Sequence, residues 1–211
     1  MKNLIFDIDG TLWNTTGVVA GAWNRSVRER NVPELASLNI TADMLKKEFG
    51  KPMDVIADDL FGDIDTGVKA ELLSLCCKYE HEAISECTDD LTYEGMTETL
   101  KKLSLNHNLY IVSNCQDGYI ELVIEKTGLG GLIKDFECFG RTGLQKDENI
   151  SLLMERNGIA KEDAVYIGDT MGDFVATHKA GIKFVFAGYG FGNVDAPDYR
   201  VDCIEELLSL F

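Results

Sequence analysis

Residues 4–11 read LIFDIDGT, and this stretch carries the fold hypothesis. A short apolar run of this kind is typical of a buried strand, but it leads directly into Asp7 and Asp9. Two neighbouring carboxylates repel each other and are costly to remove from water. The two acids are therefore either ordinary turn residues or the ligands of something positive.

The composition is that of a folded protein. The chain has 211 residues, of which 45% are hydrophobic and three are prolines, which suffices for one large domain or for a domain with an inserted lobe. No run reaches the ~20 apolar residues of a membrane span or resembles a signal-peptide core, so we expect a soluble, cytoplasmic protein. The six cysteines lack zinc-ligand spacing, which favours reduced thiols.

The formal net charge is −16 at pH 7. Proteins bind nucleic acids and anionic membranes through clustered Lys and Arg, so this negative charge argues against both as partners. An anionic substrate would need a locally positive site, and a bound divalent cation would supply one.

After Thr92, short apolar segments alternate with amphipathic ones. This alternation is typical of an α/β fold whose parallel sheet is covered on both faces. The opening LIFD segment is a short apolar run of the same kind, which predicts that it belongs to that sheet. Residues 33–90 are instead rich in Leu, Ala, Lys and Glu at helix-like spacing, which predicts several helices. The sequence therefore predicts a core over residues 1–13 and 93–211, with a helical cap over residues 14–92 inserted after the first strand. The later predicted strands are LYIVSN, DFECFG, AVYIGD and KFVFAG.

Polar residues follow the predicted strands or the turns beyond them. Ligands of an open parallel sheet bind beyond the carboxyl ends of its strands, so these residues are candidates for one shared site. Carboxylates at such a site suit Mg²⁺, which is bound through a few carboxylates, waters and a phosphate. The candidates are Asp7 and Asp9 after LIF, Ser113 and Asn114 after LYIV, Lys146 in the turn GRTGLQKDEN, and Asp169 and Asp173 after VYIG.

A phosphoryl group beside such an ion gives most of these side chains a role. Asp7 is suited to attack phosphorus and form an aspartyl phosphate, and Asp9 to protonate the leaving group and then activate water. Lys146 and the Ser113 hydroxyl would stabilise the transferring oxygens. Asp173 would hold a metal-bound water or orient Lys146.

The remaining assignments concern the metal and the substrate. Asp7, Asp9, Asp169 and Asp173 are the predicted metal ligands. Thr11, Asn114 and Lys51 are assigned to substrate binding, Lys51 because GKPM at residues 50–53 forms a possible substrate loop in the cap. Trp13 is expected to pack in the core or to line the substrate pocket.

The segment GYGFG at residues 188–192 resembles a fragment of a dinucleotide-binding loop. Asn193, Asp195 and Pro197 follow it in place of a helix start. We interpret it as a flexible loop near the site, without a nicotinamide cofactor.

The whole set resembles the haloacid dehalogenase superfamily. DIDGT at residues 7–11, Ser113, Lys146 and GDTMGD at residues 168–173 match its four motifs in order. The resemblance implies a Rossmann-like core, an Mg²⁺-dependent aspartyl-phosphate mechanism and a lid over a small substrate. The chain looks most like the phosphoglycolate phosphatase-like branch, although Asp147 follows Lys146 where relatives often have proline, and Asn14 stands where many have an acid.

Several functions stay open at this point. The leading hypothesis is hydrolysis of a small phosphate monoester by a monomer or homodimer. A sugar phosphomutase would use the same nucleophile and second acid, and a non-catalytic phosphate-binding regulatory protein would be phosphorylated on Asp7 without turnover. A dehalogenase needs neither Mg²⁺ nor an acid at position 9, so Asp9 argues against it.

Overall fold

The computed structural model describes residues 1–211 and contains one sheet of six strands, all parallel. Their order across the sheet is β3-β2-β1-β4-β5-β6, the arrangement of a doubly wound nucleotide-binding fold. The prediction of an α/β class with a Rossmann-like parallel sheet is confirmed. The strands are β1 Asn3–Phe6, β2 Asn108–Ser113, β3 Ile133–Cys138, β4 Ala164–Gly168, β5 Lys183–Ala187 and β6 Tyr199–Val201.

The first strand lies in the middle of the sheet. Ile5 pairs with Tyr110 of β2 on one side and with Tyr166 of β4 on the other. Leu4, Ile5 and Phe6 have no solvent exposure, because a central strand of a doubly wound sheet is covered by helices on both faces. This explains why the run is continuously apolar and does not alternate.

Ten α-helices accompany the sheet. Some begin at a capping side chain; for example, the Thr41 hydroxyl accepts a hydrogen bond from the Met44 backbone N–H at the start of α2. They are α1 Thr16–Arg30, α2 Ala42–Glu48, α3 Met53–Phe61, α4 Thr66–Glu86, α5 Met96–Leu103, α6 Tyr119–Thr127, α7 Phe139–Thr142, α8 Lys146–Arg156, α9 Met171–Ala180 and α10 Leu207–Leu210.

The chain divides into two compact units. One comprises Met1–Asn14 and Leu91–Phe211 and contains the sheet; the other comprises Thr15–Asp90 and contains α1 to α4. Inside the helical unit, α1 packs on α4, and the buried Trp23 indole donates a hydrogen bond of 2.7 Å to Glu80. The role of this unit as a cap stays a prediction.

Two local features differ from the sequence-based expectation. The strand β6 has only three residues and was not predicted, because so short a segment gives no periodic signal. Lys146, expected in a turn, is the first residue of α8, where Gln145 and Glu148 form a capping box that begins the helix. None of the ten helices combines the length and apolarity needed to cross a bilayer.

Candidate functional site

The carboxyl ends of β1 and β4 bring two of the predicted acids together. Asp7 directly follows β1, and its backbone N–H donates to the Ile167 carbonyl of β4 at 2.9 Å. Asp169 directly follows β4. Since neighbouring parallel strands end at the same edge of the sheet, these two side chains, 162 positions apart in sequence, emerge side by side.

Lys146 lies between two carboxylates. Its Nζ is 3.1 Å from Asp7 Oδ1 and 2.5 Å from Asp173 Oδ1, and its side chain is only 4% exposed. A buried ammonium is tolerated only when it is paired, and this one has two partners. Burial lowers its pKa, but the charges of Asp173 and Asp7 and their hydrogen bonds outweigh this and raise the pKa above the usual range.

Asp173 is fixed by the start of α9. Its Oδ2 accepts hydrogen bonds from the Thr170 backbone N–H at 3.0 Å and the Thr170 hydroxyl at 2.7 Å. This capping box leaves Oδ1 for Lys146. Asp173 was predicted either to hold a metal-bound water or to orient Lys146. The structure contains the contact that the second role requires.

Asp7, Asp169 and Asp173 form a compact acidic group. Each offers a carboxylate oxygen, all three oxygens lie within 4.8 Å of one another, and all three residues are buried. Burial, partly offset by Lys146 and reinforced by Asp173, raises the pKa of Asp7 to about 6. Burial and the charges of Asp173 and Asp7 also raise the pKa of Asp169 well above its usual value.

This donor set fits a hard divalent cation. Three buried carboxylates share one ammonium, so the group carries excess negative charge that a cation would offset. Mg²⁺ and similar ions prefer oxygen ligands, which these carboxylates at the carboxyl ends of the strands provide. Asp7, Asp169 and Asp173 are therefore the residues that would hold such an ion.

Asp9 lies outside that group. Its Oδ1 accepts hydrogen bonds from Trp13 Nε1 at 3.0 Å and from the Tyr119 hydroxyl at 2.9 Å. The structure thus places its carboxylate against two aromatic side chains. Its predicted role as an acid is compatible with this position, and its role as a metal ligand stays a prediction.

The predicted substrate-binding residues are distributed differently. The buried Thr11 hydroxyl lies 3.5 Å from Asp169 Oδ1. Ser113 ends β2, the strand beside β1, and Asn114 follows it at the same edge of the sheet. Their roles stay predictions.

Lys51 belongs to the helical unit. Its Nζ contacts Glu48 Oε2 at 2.6 Å and Asp59 Oδ2 at 2.7 Å. The hydrogen bonds that this lysine donates to Asp59 and Glu48 raise its pKa. Its ammonium is therefore engaged by two carboxylates, and a role in substrate binding stays a prediction.

The segment of residues 188–192 contributes to the site in a way that sequence reasoning missed. The Phe191 backbone N–H donates to Asp169 Oδ2 at 2.7 Å, and the Tyr189 hydroxyl donates to the Thr11 carbonyl at 2.9 Å. The segment was expected to be a flexible loop near the site. Its spaced glycines were the available signal, because they permit a close approach of the backbone.

Gly190 shows how close that approach is. A Cβ at this position would lie 2.3 Å from Asp169 Cβ and 2.4 Å from the Gly10 carbonyl oxygen. We expect Gly190→Ala to displace Asp169 and to lower kcat/KM about 100-fold, the loss that a misplacement of about 1 Å in a site can cause. Steady-state kinetics on purified protein measures this.

The control is Gly131→Ala, because a Cβ at Gly131 would meet nothing within 4 Å. We expect this variant to keep wild-type kinetics. If Gly190→Ala also kept them, the loop would not position Asp169.

Comparison with known proteins identifies the class. Residues 4–187 match the family model described as haloacid dehalogenase-like hydrolase. The chain therefore belongs to the haloacid dehalogenase-like hydrolase family. This confirms the predicted superfamily and the prediction of a hydrolase.

Its relatives include phosphatases. The chain is 22% identical over its whole length to the pyrophosphatase PpaX of Oceanobacillus iheyensis, covering 96% of that protein. It is 23% identical to phosphoglycolate phosphatase 1 of Pseudomonas aeruginosa, with 97% of this chain and 78% of the relative aligned. These relatives support the phosphatase class and the phosphoglycolate phosphatase-like branch.

Solved structures show the same fold. A predicted phosphoglycolate phosphatase from Haemophilus somnus superposes with a TM-score of 0.84 at 21% identity, covering 100% of this chain and 97% of the other. The hydrolase YfnB of Bacillus subtilis, solved with magnesium bound, superposes with a TM-score of 0.75 at 19% identity, covering 99% and 97%.

Proposed function

We propose that this protein is an Mg²⁺-dependent phosphatase that hydrolyses a small phosphate monoester through an aspartyl phosphate on Asp7. The observation that carries the proposal is the Lys146 ammonium held between Asp7 and Asp173 at the carboxyl end of the sheet. A nucleophile, a cation and an acidic metal-binding group thus share one buried site. The phosphatases among the relatives support the same reaction class.

The first half of the reaction is a transfer to Asp7. A carboxylate oxygen of Asp7 forms a bond to phosphorus as the bond to the ester oxygen breaks. Asp9 supplies a proton to that departing oxygen, which leaves as an alcohol. Lys146 contacts the nucleophile and offers positive charge to the phosphoryl oxygens, and Ser113 offers a hydroxyl donor.

The second half of the reaction hydrolyses the aspartyl phosphate and restores the free enzyme. Asp9, now a carboxylate, takes a proton from water while the water oxygen attacks phosphorus, and Asp7 leaves as a carboxylate. Asp7, Asp169 and Asp173 would hold the metal. A bound Mg²⁺ would neutralise charge on the phosphoryl oxygens and let an anion approach three acids.

The substrate we propose is a small phosphorylated metabolite of the phosphoglycolate or sugar phosphate type. The names of the relatives support it, and they add pyrophosphate as a compound to test. The cytoplasmic location and the choice between monomer and homodimer stay predictions.

Phosphate release from a substrate panel tests the proposal. The panel contains 2-phosphoglycolate, hexose phosphates, a glycerol phosphate, pyrophosphate and p-nitrophenyl phosphate, each with MgCl₂ or with EDTA. We expect turnover with MgCl₂ and its loss with EDTA. Phosphate release that persists in EDTA would contradict the Mg²⁺ dependence, transfer of phosphate to a sugar would indicate a phosphomutase, and no turnover at all would indicate a regulatory protein.

Asp169→Ala tests the assignment of the metal. Removing one carboxylate should raise the Mg²⁺ concentration for half-maximal activity at least about tenfold, since losing even an outer partner of a ligand costs that much. The exposed Asp163 provides a control, Asp163→Ala, which should leave the titration unchanged. An unchanged titration in Asp169→Ala would place the ion elsewhere.

A further inference from the structure

The Asp9 carboxylate receives two hydrogen bonds on the same oxygen. Trp13 Nε1 is 3.0 Å and the Tyr119 hydroxyl 2.9 Å from Asp9 Oδ1. The two donors also contact each other, with ring centroids 5.8 Å apart and an interplanar angle of 73°. Both aromatic residues are 1% exposed, so neither donor can turn to solvent without disturbing the packing.

Each donor is held by its own backbone element. Trp13 closes the short loop after β1, where the Gly10 N–H donates to the Trp13 carbonyl at 2.9 Å. Tyr119 is the first residue of α6, which follows a left-handed Gly118 with φ of 84°. A side chain bonded to two separate, packed elements loses most of its rotamer freedom.

We propose that Trp13 and Tyr119 are positioning residues that fix the orientation of Asp9 as the acid and base of the reaction. This inference rests on the proposed phosphatase function. Because both donors occupy Oδ1, the proton that Asp9 delivers is carried by Oδ2. The pair thereby selects which carboxyl oxygen reacts and at what angle it meets the leaving group.

The chemistry of the step follows from that selection. The O–H bond at Oδ2 breaks as the proton moves to the ester oxygen, whose bond to phosphorus is breaking. In the second half, Oδ2 accepts a proton from the attacking water. Throughout, Oδ1 keeps its two donors, which stabilise the carboxylate form left after the proton has gone.

A purely structural explanation makes a different prediction. Buried Trp N–H and Tyr O–H groups need acceptors, and Asp9 could serve only to satisfy them. Removing one donor would then affect all substrates equally. A positioning role instead affects substrates in proportion to their need for a proton on the leaving group.

The experiment compares kcat/KM for two leaving groups, because kcat/KM reports the transfer to Asp7 even when hydrolysis of the aspartyl phosphate limits kcat. The substrates are p-nitrophenyl phosphate, whose phenolate leaves without protonation, and the best alkyl phosphate of the panel above. Asp9→Asn is the reference variant. In Tyr119→Phe and in Trp13→Phe we expect the ratio of alkyl to aryl kcat/KM to fall about tenfold, a fraction of the 10²–10⁴-fold typical of acid catalysis.

Tyr110→Phe is the matched control, since it removes a hydroxyl from another buried tyrosine in the core of the sheet. It should leave the ratio unchanged. Tyr119→Phe keeps the ring and its packing, so it remains informative if Trp13→Phe does not fold.

The outcomes are distinguishable. If the wild type hydrolyses both esters and Asp9→Asn lowers the ratio but Tyr119→Phe does not, the positioning role is wrong and the proposed function stands. If the wild type hydrolyses no ester, the proposed function fails and this inference fails with it.

Discussion

Asp7→Asn is expected to abolish turnover, with kcat lowered on the order of 10⁴-fold or more, the scale found when a nucleophile is removed. An amide has nearly the volume of the carboxylate but cannot form the acyl phosphate. Lys146 Nζ would keep an oxygen acceptor at this position, so the site should stay assembled. Phosphate release on the best panel substrate measures the loss.

A second measurement tests whether the loss of turnover is due to the loss of the aspartyl phosphate. Acid quenching of wild-type protein during turnover of a labelled substrate should trap phosphate on the chain, and Asp7→Asn should trap none. Asp163→Asn, which makes the same charge change at an exposed position, should behave as wild type. A variant at Asp7 that kept a tenth of the activity would exclude this residue as the nucleophile.

Lys146→Met is expected to affect both activity and stability. It removes the only ammonium paired with Asp7 and Asp173 and leaves buried carboxylates facing one another. We expect kcat to fall about 10²–10³-fold, the usual cost of removing a group that stabilises charge in the transition state. The free energy of unfolding should fall by about 3 kcal/mol, at the low end for a broken buried pair, because a carboxyl group can take up a proton.

Urea unfolding with and without MgCl₂ separates the two effects. Since a cation bound by the acids would replace part of the lost charge, we expect a smaller loss of stability with MgCl₂ than with EDTA. Lys134→Met, at an exposed position on β3, should change neither stability nor kcat. Full activity in Lys146→Met would remove this lysine from the transfer step.

The site depends on opposing charges at short range. Burial and Asp173 raise the pKa of Asp7, whereas Lys146 lowers it. The lysine therefore favours the carboxylate form that a nucleophile requires. The same contacts explain why Asp7 is tolerated after an apolar strand: it is buried together with a cation, whereas Asp9 accepts hydrogen bonds from Trp13 and Tyr119.

The sequence predicted the strands and the order of the polar residues well. Continuous apolar runs such as LYIV are local signals, and β2 follows one of them closely. The expectation that strand-end residues converge needed one general rule about parallel sheets, and Asp7, Lys146 and Asp169 do lie together.

Other features could not be predicted from local patterns. The three-residue β6 forms because β5 offers a free edge, which is a property of the assembled sheet. Lys146, by contrast, begins a helix because Gln145 and Glu148 satisfy the terminal N–H groups of α8, and their three-residue spacing is a local signal that the sequence does contain.

By itself, the sequence determined the family and the parallel sheet and predicted a set of candidate site residues, because periodicity and motif spacing are encoded along the chain. Only the tertiary structure decided which of these side chains touch. The Tyr189 hydroxyl reaches the Thr11 carbonyl across 178 positions, and Asp9 turns to Tyr119 across 110. Such contacts depend on how the helices, strands and loops pack against one another, and a local sequence pattern does not contain this information.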